Sequence, residues 1–292
     1  MSTVDDTDFS GPVWTHSEPR VAGASDVGVV RQVNQDAFAR FDDVDRCEIL
    51  LIVADGLGGH RSGEVASEMA VDRIGKLVFE IDEGPAERLR QSIEHANDAI
   101  LKAGREDPSL NGMGTTIVCL LLAEDGRSYV AHVGDSRLYR LRSGRIKAIT
   151  EDHSLVATLL REGVLSDDEA REDPRRNQIL RALGVREETE VDVAPIEIKP
   201  GDVYLLCSDG LHGMIDDAEI LQIAHRPTRP ELVVERLIEA ANRAGGIDNI
   251  TCLIAQVPRP MPLDSLRLTA TRLIDSARNF FAAASNKPDS DR

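Results

Sequence analysis

Aromatic side chains are scarce in this chain: one Trp, three Tyr and six Phe among 292 residues, or 3%. The core must therefore rest on Val, Ile, Leu and Ala, and an ordinary hydrophobic fraction of 41% supplies them. Cysteine is scarcer. Cys47, Cys119, Cys207 and Cys252 stand far apart with no C-x-x-C spacing, so neither a disulfide framework nor a paired-thiolate site is expected. At least three of them lie in apolar, strand-like runs, where a thiol behaves as a small hydrophobe; reduced cysteines fit a cytoplasmic setting.

No segment approaches ~18 uninterrupted apolar residues, so no membrane span is expected. The first twenty residues are polar and acidic and lack a basic stretch followed by an apolar one, so no secretory signal is expected. Positive charge is in deficit: 34 Lys and Arg against 51 Asp and Glu give −17. That balance opposes binding to nucleic acid or an anionic membrane through a general field. The length suffices for one large domain or two small ones, with a substantial core.

What is present is strand chemistry in blocks. After a polar lead (1–20) come "ASDVGVV", "DAFARF" and the apolar "ILLIVAD". Two helices follow, one from Ser62 to about Glu80 and one from Pro85 to about Gly104, each with apolar residues at helical spacing. "TTIVCLLLA", "SYVAHVGD", "SRLYRL" and "IKAIT", separated by "EDGR" and "RSGR", read as a meander. Residues 153–180 are polar, charged and helix-prone, a surface excursion between strands. "VDVAPIEI" and "VYLLCSD" restore strands, helical patterns cover 216–224 and 230–244, and "NITCLIAQV" is the last strand. Strand blocks joined by hairpins, with helix pairs between them, predict an α+β fold of mainly antiparallel sheets covered by helices. After Val257, "PRPMP" marks the end of the domain and leaves 258–292 as a tail. In it Leu266, Ala270, Leu273, Ala277 and Phe280 form one helical stripe.

Acids recur at the ends of these strands. Asp36 opens one, Asp55 in "LLIVADGLGG" and Asp209 in "LLCSDGL" close two, Asp135 in "VGDSR" closes another, and Asp248 in "GGIDNIT" opens the last. An isolated Asp-Gly is ordinarily a turn. Five acids converging on one rim would raise one another's pKa values unless a cation sat between them. With no His or Cys at ligand spacing among them, the oxygen donors select Mg²⁺ or Mn²⁺. Two such ions could bridge a hydroxide and clamp a phosphoryl oxygen, and Arg31 could supply a guanidinium for the phosphate.

"SDVGVVRQVNQD", "LLIVADGLGGHRSGEVAS", "GMGTT", "AHVGDSR", "LLCSDGL" and "GGIDNIT" resemble, in order and spacing, the motifs of the metal-dependent protein Ser/Thr phosphatases, the protein phosphatase 2C family, and of its bacterial branch most closely. The resemblance covers about 21–257, which it makes the catalytic domain, with residues 153–180 as the flap beside the cleft. It implies a four-layer α-β-β-α sandwich with metals in a cleft at one edge. It implies hydrolysis of phosphoserine and phosphothreonine on proteins by a dimetal-bridged hydroxide, in opposition to a Hanks-type kinase, by a cytoplasmic monomer. By the same similarity Asp36, Asp55, Asp209, Asp248 and the Gly56 carbonyl hold two Mn²⁺ or Mg²⁺ ions, with Asp55 bridging them. Asp135 and Asp209 hold a third, weaker ion, and Arg31 binds the phosphate. Thr115 and Thr116 match a structural pair.

Two positions depart from the pattern. Leu57 stands where many eukaryotic members have a histidine proposed to protonate the leaving oxygen, and Gln35 where many relatives have Glu. His60 is the nearby candidate for general acid; solvent or metal-bound water is the alternative. A catalytically silent scaffold of the same fold and a two-metal phosphodiesterase are rival readings. The first is opposed by the complete set of acids, the second by the −17 charge.

Overall fold

The apolar run from Glu48 to Leu57 forms a ten-residue strand, β3, buried along almost its whole length. Its two faces enter different cores. Leu50, Ile52 and Ala54 pack with helix residues, while Ile49, Leu51 and Val53 pack against a second sheet. A strand covered on both sides has no reason to alternate with polar residues, which explains the unbroken hydrophobic run in an antiparallel sheet. The structure, a computed structural model, describes residues 18–59, 62–123, 126–166, 169–170, 173–225 and 228–259. The tail stripe and most of the N-terminal lead lie outside the described residues, as does His60.

The first sheet has the order β2 (Asp36–Asp43), β3, β5 (Ile117–Ala123), β6 (Ser128–Val133) and β9 (Asp192–Ile196), with the two-residue β4 (Gly114–Thr115) paired to the end of β3. The second runs β1 (Arg20–Asp26), β11 (Ile250–Gln256), β10 (Val203–Cys207), β7 (Arg137–Arg142) and β8 (Arg145–Ala148). Every pairing of these strands is antiparallel.

Helices α1 (Ser62–Glu80) and α2 (Pro85–Glu106) cover the outer face of the first sheet. Ala66, Ala70, Ile74 and Val78 of α1, and Leu89, Ile93, Ala96 and Ile100 of α2, form the buried stripes. Ser62 opens α1 by donating to Gly59 O at 2.7 Å. A short α3 (Leu155–Arg161) lies in the 153–180 excursion and α4 (Asp209–His212) is a single turn after β10. Helices α5 (Asp217–Ala224) and α6 (Pro230–Arg243) cover the second sheet through Ile220, Val233 and Leu237, which pack on Leu205, Cys252 and Ile254. The layers are helix, sheet, sheet, helix, as the motifs imply. Cys119, Cys207 and Cys252 are buried thiols, and Cys47 is exposed in the β2–β3 turn with φ 52°.

Glu48 ties β3 to α2. Arg88 Nη2 donates to both of its carboxylate oxygens at 2.7 and 2.8 Å, and Nη1 donates to Val78 O at 3.1 Å, with both side chains buried. Removing one partner strands a charge in a dry layer. Glu48→Leu alone should cost about 3–5 kcal/mol, and Glu48→Leu with Arg88→Met should recover most of that. Urea unfolding of the three proteins checks this; equal midpoints for the single variant and wild type would contradict it.

Candidate metal centre

Asp36 opens β2, and its paired residue across the ladder is Asp55 of β3. Opposite residues of an antiparallel pair share a face and sit close enough for like charges to repel. Asp55 is not the terminal residue of its strand, because Gly56 and Leu57 continue it by pairing with Thr115 and Gly114. Its backbone is fixed: Thr116 N and Thr115 Oγ1 donate to Asp55 O at 2.8 and 2.9 Å, and Asp55 N donates to Thr116 Oγ1 at 3.0 Å. Thr115 and Thr116 thus anchor the strand that carries the acid.

Gly56 threads between two backbones, its N–H donating to Gln35 O at 3.1 Å. A Cβ there would run into Gly63 O and Gln35 O, so only glycine allows the approach.

The other acids arrive from the second sheet. Asp209 follows β10 as the first residue of α4, a helix start rather than a simple turn. Asp248 precedes β11, the neighbour of β10. A side chain at Gly210 would collide with Asn249 O, so the missing Cβ lets the Asp209 turn close on the segment holding Asp248. The two sheets are stitched here. Ser208 N donates to Thr251 O at 3.1 Å, Thr251 N to Ser208 Oγ at 3.0 Å, and Ser208 Oγ to Asp36 Oδ2 at 2.7 Å. Asn249 Oδ1 accepts from Gln35 N at 2.9 Å, while its Nδ2 donates to Val27 O and Val33 O. Arg31 Nη2 donates to Asp248 Oδ2 at 2.8 Å, with half of the arginine side chain left exposed.

The electrostatics record the convergence. Burial pushes Asp36 up to about 7, with the charges of Asp209 and Asp248 adding to the shift against hydrogen bonds from Thr251 and Ser208. Burial raises Asp55 well above the usual carboxylate range, reinforced by Asp36, Asp209, Asp135 and Asp248. Asp209 rises to about 6 through burial and Asp248, and Asp135 to about 8 through burial, Asp209 and Asp152. The hydrogen bond to Asp248 raises Arg31 further, which keeps it charged. Asp36 Oδ1, Asp135 Oδ1 and Asp209 Oδ1 are buried without a hydrogen-bond partner. A buried carboxylate oxygen left unpartnered is costly unless a cation completes its shell. An all-oxygen set of this kind fits hard divalent ions.

Comparison with known proteins follows the same line. The family model described as "Protein phosphatase 2C" matches residues 28–241. The serine/threonine phosphatase stp of Listeria innocua is 40% identical over 237 residues, covering 80% of this chain and 93% of that protein. The Mycobacterium tuberculosis serine/threonine phosphatase PstP/Ppp superposes with a TM-score of 0.75 at 38% identity, covering 83% of this chain and all (100%) of that one. The catalytic domain of PstP in complex with two manganese ions gives 0.73 at 38% identity, covering 82% and 99%.

This chain belongs to the protein phosphatase 2C family. It is a metal-dependent phosphatase.

Beside Asp135 and Asp209 of the phosphatase opens a cleft of about 660 Å³, lined among others by Arg137, Asp152, Arg176, His212 and Met214. The 153–180 excursion, which carries α3, is pinched at its base: Leu155 N donates to Gln178 O and Leu180 N to His153 O. Arg176 reaches the cleft wall, whereas Arg175 pairs with Asp173 at 2.8 Å. Among the described residues, the group whose ligand atoms all lie within 4.8 Å of one another is His132, His153 and Asp192. Gly134 N donates to His153 Nδ1 at 3.1 Å, and His153 Nε2 lies 3.3 Å from both Asp192 Oδ2 and Arg181 Nη1. The Nδ1 lone pair is thereby taken, and the group is a hydrogen-bonded support under the Gly134–Asp135 turn. Among the described residues, no three of Asp36, Asp55, Asp135, Asp209 and Asp248 bring ligand oxygens within 4.8 Å of one another.

Sequence reading missed the supports. Ser208, Asn249 and Thr251 sit inside the motifs that carry the acids, and the small polar residues beside Asp209 and Asp248 were the available signal. His212 was also passed over. Burial and the charge of Arg137 push it down to about 3, and as a neutral ring it donates from Nε2 to Asp135 O at 3.0 Å.

The raised carboxylates set the pH response of the metal-free phosphatase. Its folded state keeps protons on Asp209, Asp36 and Asp135 up to about 6, 7 and 8, whereas an unfolded chain releases them near 4. The folded form binds more protons in that window, so stability falls as pH rises through it. Without metal, the melting temperature should drop between about pH 4 and 8; with Mn²⁺ the drop should shrink or reverse. A flat metal-free profile would contradict the placement of the acids.

Proposed function

We propose that the chain hydrolyses phosphoserine and phosphothreonine on proteins, and that it opposes a Hanks-type Ser/Thr kinase in the cytoplasm. The observation that carries this reading is the set of buried, unpartnered aspartate oxygens beside a half-exposed arginine, within a chain of this family. On this reading Asp36, Asp55, Asp209 and Asp248, with the Gly56 carbonyl, would hold two Mn²⁺ or Mg²⁺ ions, and Asp135 and Asp209 would hold a third, weaker one. Residues 21–257 form the catalytic domain, with 153–180 as its flap.

Bound divalent ions supply Lewis acidity, lowering the pKa of water and polarising a phosphoryl oxygen. The protein's own residues do the rest. Arg31 is anchored at Asp248 and presents its remaining N–H groups to the phosphate as charge grows on the equatorial oxygens. Ser208 and Thr251 keep Asp36 oriented, so the carboxylate does not reorganise when the site fills. Thr115 and Thr116 do the same for the backbone of Asp55. Leu57 brings no titratable group to the position where many relatives carry histidine, and solvent protonates the departing serine or threonine oxygen.

Asp55→Asn or Asp209→Asn should lower Mn²⁺-dependent hydrolysis of a phosphothreonine peptide by at least ~100-fold, the equivalent of about 2.7 kcal/mol. The far-ultraviolet circular dichroism of each variant should match that of wild type. Near-normal turnover in either variant would defeat the assignment.

A further inference from the structure

The connection between β1 and β2 carries "GVVRQVNQ" (28–35), with side chains that solvent-facing loops rarely carry. Val29 is 68% exposed, Val30 63% and Val33 36%, and Ile247, in the segment before β11, is 44% exposed. These are four of the nine large apolar side chains exposed among the described residues. One exposed valine needs no explanation, but a group of them on two touching segments does.

The segments do touch. Val29 N and Val30 N both donate to Gly246 O, at 2.8 and 3.2 Å. The loop is also pinned along its length. Gly28 N donates to Asp26 Oδ1 at 2.8 Å, Asn249 Nδ2 donates to Val27 O and Val33 O at 2.9 and 3.0 Å, and Asn249 Oδ1 accepts from Gln35 N at 2.9 Å. Apolar side chains on a backbone held this way are in position before anything binds, which reduces the ordering cost of association.

Arg31 lies in the middle of this patch, two residues from Val29 and from Val33, and it is held at 2.8 Å by Asp248, the residue after Ile247. Consecutive Cα atoms are about 3.8 Å apart, so the residues next to a phosphoserine or phosphothreonine whose phosphate meets Arg31 lie within about 8 Å of it. The valines and the isoleucine are exposed on the two segments that meet at Gly246 and at the Arg31–Asp248 pair.

We propose that Val29, Val30, Val33 and Ile247 form a subsite that selects phosphoprotein segments with a bulky apolar residue within two positions of the phosphorylated serine or threonine. This rests on the phosphatase reading above and adds the substrate class. Without such a subsite, an acidic protein with clustered aspartates would sort peptides by their positive charge. The strip contributes no charge beyond Arg31 and sorts them by buried apolar surface.

The test uses the full chain with Mn²⁺ and three substrates: p-nitrophenyl phosphate and two phosphothreonine peptides of equal length and charge. One peptide has Leu and Phe flanking the phosphothreonine, the other Ser at the same positions. Wild type should favour the apolar peptide by about tenfold in kcat/KM, the scale expected for filling a hydrophobic pocket. Val29→Ser with Ile247→Ser should bring the ratio near one by raising KM for the apolar peptide. Hydrolysis of p-nitrophenyl phosphate and of the polar peptide should be unchanged. Val30→Thr, which keeps the branched shape, should move the ratio in the same direction, and matched melting temperatures show that all proteins are folded.

A ratio near one in wild type, or one that survives the substitutions, overturns the subsite. A preserved ratio with loss of a concentration-dependent dimer in sedimentation gives the patch to self-association and also overturns it. If wild type hydrolyses the polar peptide and p-nitrophenyl phosphate normally, the phosphatase reading stands whatever the ratio; if it hydrolyses none of the three, that reading falls and the subsite with it.

Discussion

Four aspartates drawn from β2, β3, α4 and the segment before β11 stand close enough for their negative charges to act on one another. Arg31 neutralises part of that charge at the rim, through Asp248, but the oxygens of Asp36 and Asp209 that point inward have no partner in the protein. An arrangement of this kind is unfavourable by itself. It persists because two sheets, packed through a dry core of Leu51, Val53, Leu120, Leu206 and Leu253, bring the strand ends to one edge regardless of what those ends carry. The favourable burial of the sandwich holds the unfavourable cluster in place, and on the proposed reading a pair of hard cations would turn the cluster into a site.

Small polar residues make the edge precise enough for chemistry. Ser208 and Asn249 join the two sheets through Asp36 and Gln35 at the level of the acids, Thr251 fastens Ser208, and Thr115 and Thr116 fasten the end of β3. Gly56 and Gly210 supply room where backbones must pass within contact distance. A side chain at either position would leave every acid present and move them apart. The site is therefore a property of close backbone approach as much as of carboxylates.

Much of this was legible in the sequence. Continuous apolar runs such as "ILLIVAD" reported burial on both faces, turn chemistry marked the hairpins, and acids at strand ends marked the rim. The helices ran close to their expected bounds, and the stripes on α1 and α2 were their core faces. Partnership was not legible. Nothing local in β1 says that it pairs with β11, or in Asp36 that it stands across from Asp55, because those contacts join residues far apart in the chain and are chosen by the packing of whole sheets. The helical start at Asp209 and the roles of Ser208, Asn249 and His212 were hidden for the same reason: a hydrogen bond to a distant backbone leaves no periodic trace. The ordered resemblance of six motifs carried the metal reading further than spacing alone could.

The most direct measurement is anomalous diffraction at the manganese edge from crystals of the full chain grown with Mn²⁺. Two strong peaks should lie among Asp36, Asp55, Asp209 and Asp248, with an Asp55 oxygen bound to both, and a weaker third between Asp135 and Asp209. No peak at that edge, or manganese at His132, His153 and Asp192 instead, would contradict the account.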